Sequence, residues 1–501
     1  MVAIGILIDA IQTTFGWPTV LFLLLGVVIG MIGGALPGVG GALTLAIITP
    51  FTLQFESTTA IVFLISAYNG VMYGGSISSI LFNVPGSASA AATSLEGYPM
   101  TKQGRAVDAL TISAIASGIG DILGALVIIL LLPVMVSIVL LFGTPEYFLI
   151  AVFGLSLIIV VSEGTFLKDV MAGGFGALIA TVGIAPMSPT PRYTLGHFGL
   201  YDGVNFVAAL IGIFAVSEML RLSRFEGSIS KESTGLDGSV TSGIQNVASN
   251  IVALVKSSAI GLGVGAIPGS GGSVATFIAY GEAKRSSDSP DAFGHGAEEG
   301  VVATESANNA TVSGALIPTL TFGIPGSTTT AVLIGALLLH GLRPGPKLFG
   351  DEIKLTYSIF VTILICGILI MAIGLLAIRW MGYITTINTD LIIPAIIVLS
   401  VLGAFSLNGN YTDVFVVLVM GAIGYLMNAH GYSIIALLLG LILGPIAEEN
   451  LYRSLQLSGG NFDIFVASPL RIILVVMTVL VIVGPYLQPA IDVLWKNISE
   501  Q

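Results

Sequence analysis

One cysteine, Cys366, in 501 residues excludes an internal disulfide framework. It sits in an apolar run, as a small core side chain does. Charge is scarce too. Lys, Arg, Asp and Glu together make up 9% of the chain, against about 25% in a soluble domain. The net charge of −11 counts against nucleic acid and anionic lipid surfaces as partners. It says little about a substrate, because the acidic residues lie mostly in loops. No Lys or Arg precedes the first apolar run, so the N-terminus lacks the pattern of a cleaved signal peptide. The four histidines, His197, His295, His340 and His430, show no metal-ligand spacing, and no structural metal is expected. Gly269-Ser270-Gly271-Gly272 has no Gly-Lys-Ser/Thr after it and no strand before it, which excludes a P-loop and a Rossmann turn.

What the chain does have is apolar sequence: 55% hydrophobic residues and a mean hydropathy of +0.99. Runs of helical length recur to the end, the pattern of an all-α polytopic membrane protein. They fall at 19–36, 42–52, 59–82, 88–94, 106–142, 145–162, 168–186 and 203–220, then at 249–267, 273–281, 300–323, 327–340, 353–380, 390–407, 411–428, 432–447 and 470–487. The expected organisation is a first membrane repeat over 1–220 and a polar cytoplasmic linker over 221–248. A second repeat follows over 249–447, then a C-terminal loop and extra transmembrane helix over 448–501.

The repeat is written in the breaks. Gly34-Ala35-Leu36-Pro37-Gly38-Val39-Gly40-Gly41 returns at an offset of 231 as Gly265-Ala266-Ile267-Pro268-Gly269-Ser270-Gly271-Gly272. Asn69, Gly74 and Pro85-Gly86-Ser87 return at an offset of 240 as Asn309, Gly314 and Pro325-Gly326-Ser327. Proline and glycine stop an apolar helix in each case. Broken backbone at membrane depth must be buried in protein or line a watery cavity, and breaks at matching positions of two halves point to a transporter binding site. Thr52–Thr58 holds Glu56 and no basic residue, whereas Arg221, Arg224 and Lys231 precede the second break and Lys284-Arg285 follow it. By the positive-inside rule the two broken segments are then re-entrant hairpins opening to opposite sides, as inverted repeats meeting near the midplane require. The loop Leu342–Lys354, with Arg343, Lys347 and Lys354 on the side expected outside, runs against that orientation.

Taken jointly, Ala35-Leu36-Pro37-Gly38-Val39-Gly40-Gly41, Tyr73-Gly74-Gly75-Ser76, Asn83-Val84-Pro85-Gly86, Glu96-Gly97-Tyr98-Pro99, Glu299-Gly300-Val301, Glu305-Ser306-Ala307-Asn308-Asn309-Ala310 and Gly323-Ile324-Pro325-Gly326-Ser327 are specific. On these motifs the chain resembles the large membrane subunit of tripartite tricarboxylate transporters, the TctA-type family, over nearly its whole length. Thr304 stands where that family often has proline. The resemblance implies a secondary carrier, not an enzyme, in the bacterial inner membrane. Its implied partners are a small membrane subunit and a periplasmic solute-binding protein. Its implied cargo is a small carboxylate such as citrate, driven by a Na+ or H+ gradient, with no cofactor.

A multiply charged carboxylate needs compensation, and no Arg or Lys lies deep in the broken segments. Lys256, twelve residues before Pro268 and so about 18 Å along a helix, reads as a snorkelling residue near the interface. Helix N-termini offer free N–H groups to an anion. The expected substrate site is therefore Gly38, Val39, Gly40, Gly41, Pro85, Gly86 and Ser87 with Gly269, Ser270, Gly271, Gly272, Ser273, Gly326, Ser327 and Thr328. Asn69, Asn308 and Asn309 are oxygen ligands suited to a coupling cation; as plain packing residues they would glue helices together. Asp121 has three readings: a proton site, a subunit contact, or half of a polar pair at a bend. Gly118-Ile119-Gly120-Asp121 and Tyr201-Asp202 imitate an intramembrane aspartyl protease, but in reversed order, and Asp202 opens a segment as a cap does. A gradient-independent channel or exporter of organic anions is the other alternative.

Overall fold

A computed structural model of the chain describes residues 2–36, 38–158, 166–224, 236–384 and 389–499. Ser57–Phe82 forms a helix because apolar and small residues run unbroken from Thr59 to Leu81, all of them buried. It stops at Asn83, which takes the left-handed conformation (φ 55°), and Pro85 prevents its resumption. Thr19–Ala35 lies against it with backbones nearly touching. A methyl group added at Gly30 would stand 2.2 Å from the Ala67 carbonyl oxygen, and one at Gly34 2.3 Å from that of Val71. Small residues one turn apart permit such an approach between membrane helices.

The second repeat packs in the same register. A methyl at Gly261 would stand 2.3 Å from the Ala307 oxygen and one at Gly265 2.7 Å from that of Thr311. These are the positions that the two offsets pair with Gly30, Ala67, Gly34 and Val71. The helices concerned are Ile251–Gly265 and Glu298–Phe322.

Five helices among the described residues are long and apolar enough to cross a membrane: Ser57–Phe82, Ala106–Val139, Ile353–Met381, Tyr411–Ala429 and Ile434–Leu457. Two bent pairs, Ile4–Phe15 with Thr19–Ala35 (72°) and Val240–Ser249 with Ile251–Gly265 (74°), raise this to seven by length and composition. Val2–Phe15 escapes a hydropathy reading because Asp9, Gln12 and Thr13 cut its apolar run short of a span. Glu298–Phe322, expected as an apolar run over 300–323, is an interior helix with Asn, Ser, Thr and Glu side chains buried along it. Large exposed side chains such as Leu130, Leu376 and Val252 show where the fold offers apolar surface to a bilayer.

The chain divides into two compact units. The first comprises Met1–Ser137, Phe206–Thr321 and Pro325–Tyr425 and contains both broken helices. The second comprises Ile138–Asn205, Phe322–Ile324 and Leu426–Gln501. Inside the second, Phe166–Ala180 packs on Ile434–Leu457, where a methyl at Gly440 would lie 2.0 Å from the Gly173 oxygen. Arg471 pairs with buried Glu146 at 2.6 Å, and Arg192 grips Glu448 through both guanidinium nitrogens at 2.7 and 3.1 Å. A two-stranded pairing of Gly183–Ile184 with Pro191–Arg192 is the sheet among the described residues.

Candidate functional site

Each break is built by two left-handed glycines two residues apart. Gly38 and Gly40 have φ of 82° and 57°, and their counterparts Gly269 and Gly271 have 77° and 64°. The helices then restart as Gly40–Ile48 and Gly271–Ser286. Pro37 lies outside the described residues. The second pair of breaks also matches. Asn83 and Gly323 are both left-handed, and Ser87 and Ser327 are both extended ahead of the next turn. Ser327 closes a capping box with Thr330, its hydroxyl accepting from the Thr330 N–H at 3.2 Å; Thr328 is the first helical residue after it.

The repeats touch each other through equivalent positions. A methyl at Gly41 would meet the Thr329 hydroxyl at 2.6 Å, and one at Gly272 would meet the Ser89 Cβ at 2.9 Å. Gly272 is the counterpart of Gly41 and Thr329 that of Ser89, so the packing is reciprocal, as in a two-fold interface. Within the second repeat, the Gly271 N–H donates to the Gly326 carbonyl at 3.2 Å.

A buried polar centre lies on Ser57–Phe82 and Glu298–Phe322. Ser76 donates to Glu305 Oε1 at 2.7 Å, while the Asn308 amide donates to the Met72 carbonyl at 3.0 Å. The lower number on one helix meets the higher on the other, so these contacts run in opposite senses. Glu305 is fully buried and accepts from four hydroxyls: Ser76, Thr93, Ser113 (2.7 Å) and Ser117 (2.9 Å). Each of its lone-pair directions has a donor, as a buried carboxylate requires. Asp121, also fully buried, accepts from the Asn309 amide at 2.9 Å through Oδ2. Its partner is thus an amide rather than a second carboxylate.

The other oxygens here have no protein partner. Asp121 Oδ1, Asn309 Oδ1, Asn308 Oδ1, Asn69 Oδ1 and Ser313 Oγ are buried and unpaired. Asn309 and Asp121 are bonded, and Ser313 faces the same helix a turn on, opposite Gly124. Asn69 donates to the Ile65 carbonyl at 2.7 Å and Asn308 to the Met72 carbonyl at 3.0 Å, rather than to one of these side chains. Oxygen-only donors that include one carboxyl group fit a small hard cation. Sequence reasoning missed Ser313, since one serine among the several Ser and Thr residues of this helix carries no signal of its own.

The first-repeat tips line a cavity of about 460 Å³. Gly38, Gly40, Pro85, Gly86 and Ser87 form one part of its wall, and Glu218, Arg221 and Leu222 another. Val39 is buried away in the core. Gly269–Ser273 does not line this cavity. The Ser270 hydroxyl is used in the break itself, donating to the Val264 and Ile267 carbonyls at 2.6 and 2.8 Å. Sequence alone reads Arg221 as a topology signal at a linker's edge. The structure puts it at the end of helix Ser217–Leu222, facing the tips. Lys231 lies outside the described residues. Lys256, expected to snorkel, is ion-paired with Glu282. Glu96 has a structural part, accepting from the Gly296 and Ala297 N–H groups at 2.8 Å each and so capping the start of Glu298–Phe322.

An all-helical multi-pass membrane protein with broken helices duplicated around a buried polar centre has the build of a membrane transporter. The chain belongs to the Tripartite tricarboxylate transporter TctA family, whose profile matches residues 20–439. It is therefore a transporter subunit. It is 35% identical over 447 residues to a protein of Agrobacterium vitis described as the "Uncharacterized 52.8 kDa protein in TAR-I ttuC' 3'region", covering 89% of this chain and 88% of that one. It is 37% identical over 207 residues to the same organism's "Uncharacterized protein in TAR-II ttuC' 3'region", covering 41% of this chain and 86% of that one. No solved structure matches the chain significantly.

Proposed function

We propose that this subunit imports small tri- or dicarboxylates of the citrate kind across the bacterial inner membrane, coupled to a Na+ or H+ gradient. The substrate arrives from a periplasmic binding protein, and a small membrane subunit completes the assembly. The observation that carries the reading is the reciprocal packing of the duplicated breaks, in a fold that leaves buried oxygens of Asp121, Asn309, Asn308 and Asn69 unpaired. Backbone N–H groups at the tips receive the carboxylates. Asp121, Asn308, Asn309 and Asn69 hold the cation that offsets their charge. Uptake of labelled citrate and succinate into proteoliposomes holding all three components, with sodium and pH varied separately, tests this. Saturable uptake should need both the binding protein and a cation gradient. Uptake that needs neither would mark a channel or exporter instead.

The same reading makes the two repeats inverted in the membrane. It is supported by the opposed contact order of Ser76 with Glu305 and of Met72 with Asn308, together with the unequal basic content of the flanks. Lys284-Arg285 should then be cytoplasmic and Thr52–Thr58 periplasmic. In a Cys366→Ala background, an impermeant thiol reagent added outside should label a cysteine at position 56 and spare one at 286. Equal labelling of the two would end the inverted arrangement.

A further inference from the structure

We propose that Arg221 is the anchor for a substrate carboxylate in the first-repeat cavity, and that Glu218 holds its place when substrate is absent. The proposal rests on the carboxylate reading above and adds a residue that the breaks alone do not supply. Arg221 and Glu218 are the charged residues of the cavity wall, which they share with Gly38, Gly40, Gly86 and Ser87. The guanidinium engages Glu218 with two nitrogens, Nε donating to Oε2 at 2.9 Å and Nη2 to Oε1. That is the bidentate fork by which arginine recognises a free carboxylate.

Glu218 also stands close to the break. A methyl at Gly38 would lie 3.1 Å from Glu218 Oε1, so the carboxylate occupies the space directly over the tip. A π turn at Gly212–Val216 lies immediately before the pair. One extra residue in a turn rotates the side chains that follow by about 100°, and such turns concentrate at functional sites. An i,i+3 ion pair in which Arg221 is half exposed contributes little to stability. Exchanging one carboxylate for another in the fork therefore costs little. Substrate enters by displacing Glu218, whose freed carboxylate turns to the water of the cavity mouth. With Glu218 paired, the cavity is neutral; with it displaced, the guanidinium offsets one substrate charge.

Equilibrium binding of labelled citrate and succinate to the membrane complex in lipid nanodiscs decides the matter. Arg221→Gln should weaken binding about 10- to 100-fold, the loss of a charged hydrogen-bonding partner, and Arg221→Lys less. Glu218→Gln should do the reverse, tightening binding about 2- to 5-fold by removing the built-in competitor. Opposite signs are the signature, because a merely structural ion pair would be damaged alike from either end. Equal weakening in both single variants, or unchanged affinity in Arg221→Gln, overturns the proposal and leaves the carboxylate reading standing. If Arg221→Gln fails to accumulate, Glu218→Gln alone still decides by the direction of its shift. Wild-type complex that binds neither probe overturns it as well, while the uptake assay judges the transport reading separately.

Discussion

Valine at Gly38 or Gly269 abolishes carboxylate uptake while the protein still inserts and accumulates in the membrane. Both glycines hold positive φ, 82° and 77°, a region that costs a residue with a Cβ about 1–2 kcal/mol and that a β-branched side chain resists further. That strain is too small to unfold the protein, so the chain relaxes locally and the N–H groups at the tip lose their aim. At Gly38 the added carbons also enter the space held by Glu218 and Leu222, 3.1 and 3.3 Å from the first of them. Neighbouring glycines grade the effect. Gly86→Ala forces a methyl to 2.0 Å from the Gly34 carbonyl oxygen, and this variant should fail to accumulate at all. Gly174→Ala meets nothing within 4 Å and should be silent. Initial uptake rates, normalised to the amount of each variant in the membrane fraction, check the series. Wild-type kinetics in either valine variant would show that the breaks serve packing only.

Asp121→Asn should weaken cation affinity by at least ~100-fold, the second large effect. A monovalent cation about 4 Å from a carboxylate gains roughly 4 kcal/mol at an effective dielectric of about 20. Asn309→Ala and Asn69→Ala each remove a neutral oxygen and should cost about 10-fold, acting on the cation more than on the substrate itself. Carboxylates at the tips would leave costly uncompensated charge in a low-dielectric site, and the cation relieves it. The two ligands therefore bind with positive coupling, and by linkage each tightens the other equally. Calorimetry of the purified complex measures both affinities and the coupling. Substrate affinity that stays constant across wide ranges of sodium and proton concentration would sink the cation-assisted site. A full-strength cation response in Asp121→Asn would move the cation elsewhere in the fold.

Chain order alone shows the duplicated breaks, because their causes are local. A proline without its N–H and a left-handed glycine stop a helix wherever they stand, so Pro268-Gly269 and Asn83-Val84-Pro85 are legible without any neighbour. The helices are legible for a similar reason: membrane span is a matter of length and hydropathy, as in Ala106–Val139. Glu298–Phe322 and Val2–Phe15 show the limit. The first reads as an apolar run over 300–323, with no sign that it is an interior helix of buried polar side chains, and the second, cut short by Asp9, does not read as a segment at all. The Glu305 carboxylate meets hydroxyls from Ser76, Thr93, Ser113 and Ser117, and Arg221 turns from a linker flank into a wall of the tip cavity. These pairings join residues up to 229 positions apart in the chain. Sequence therefore determined where the backbone must break and that it breaks twice in the same way. Only the tertiary structure decided which side chains face the breaks, since a charge or hydroxyl carries no local sign of the partner that packing brings to it.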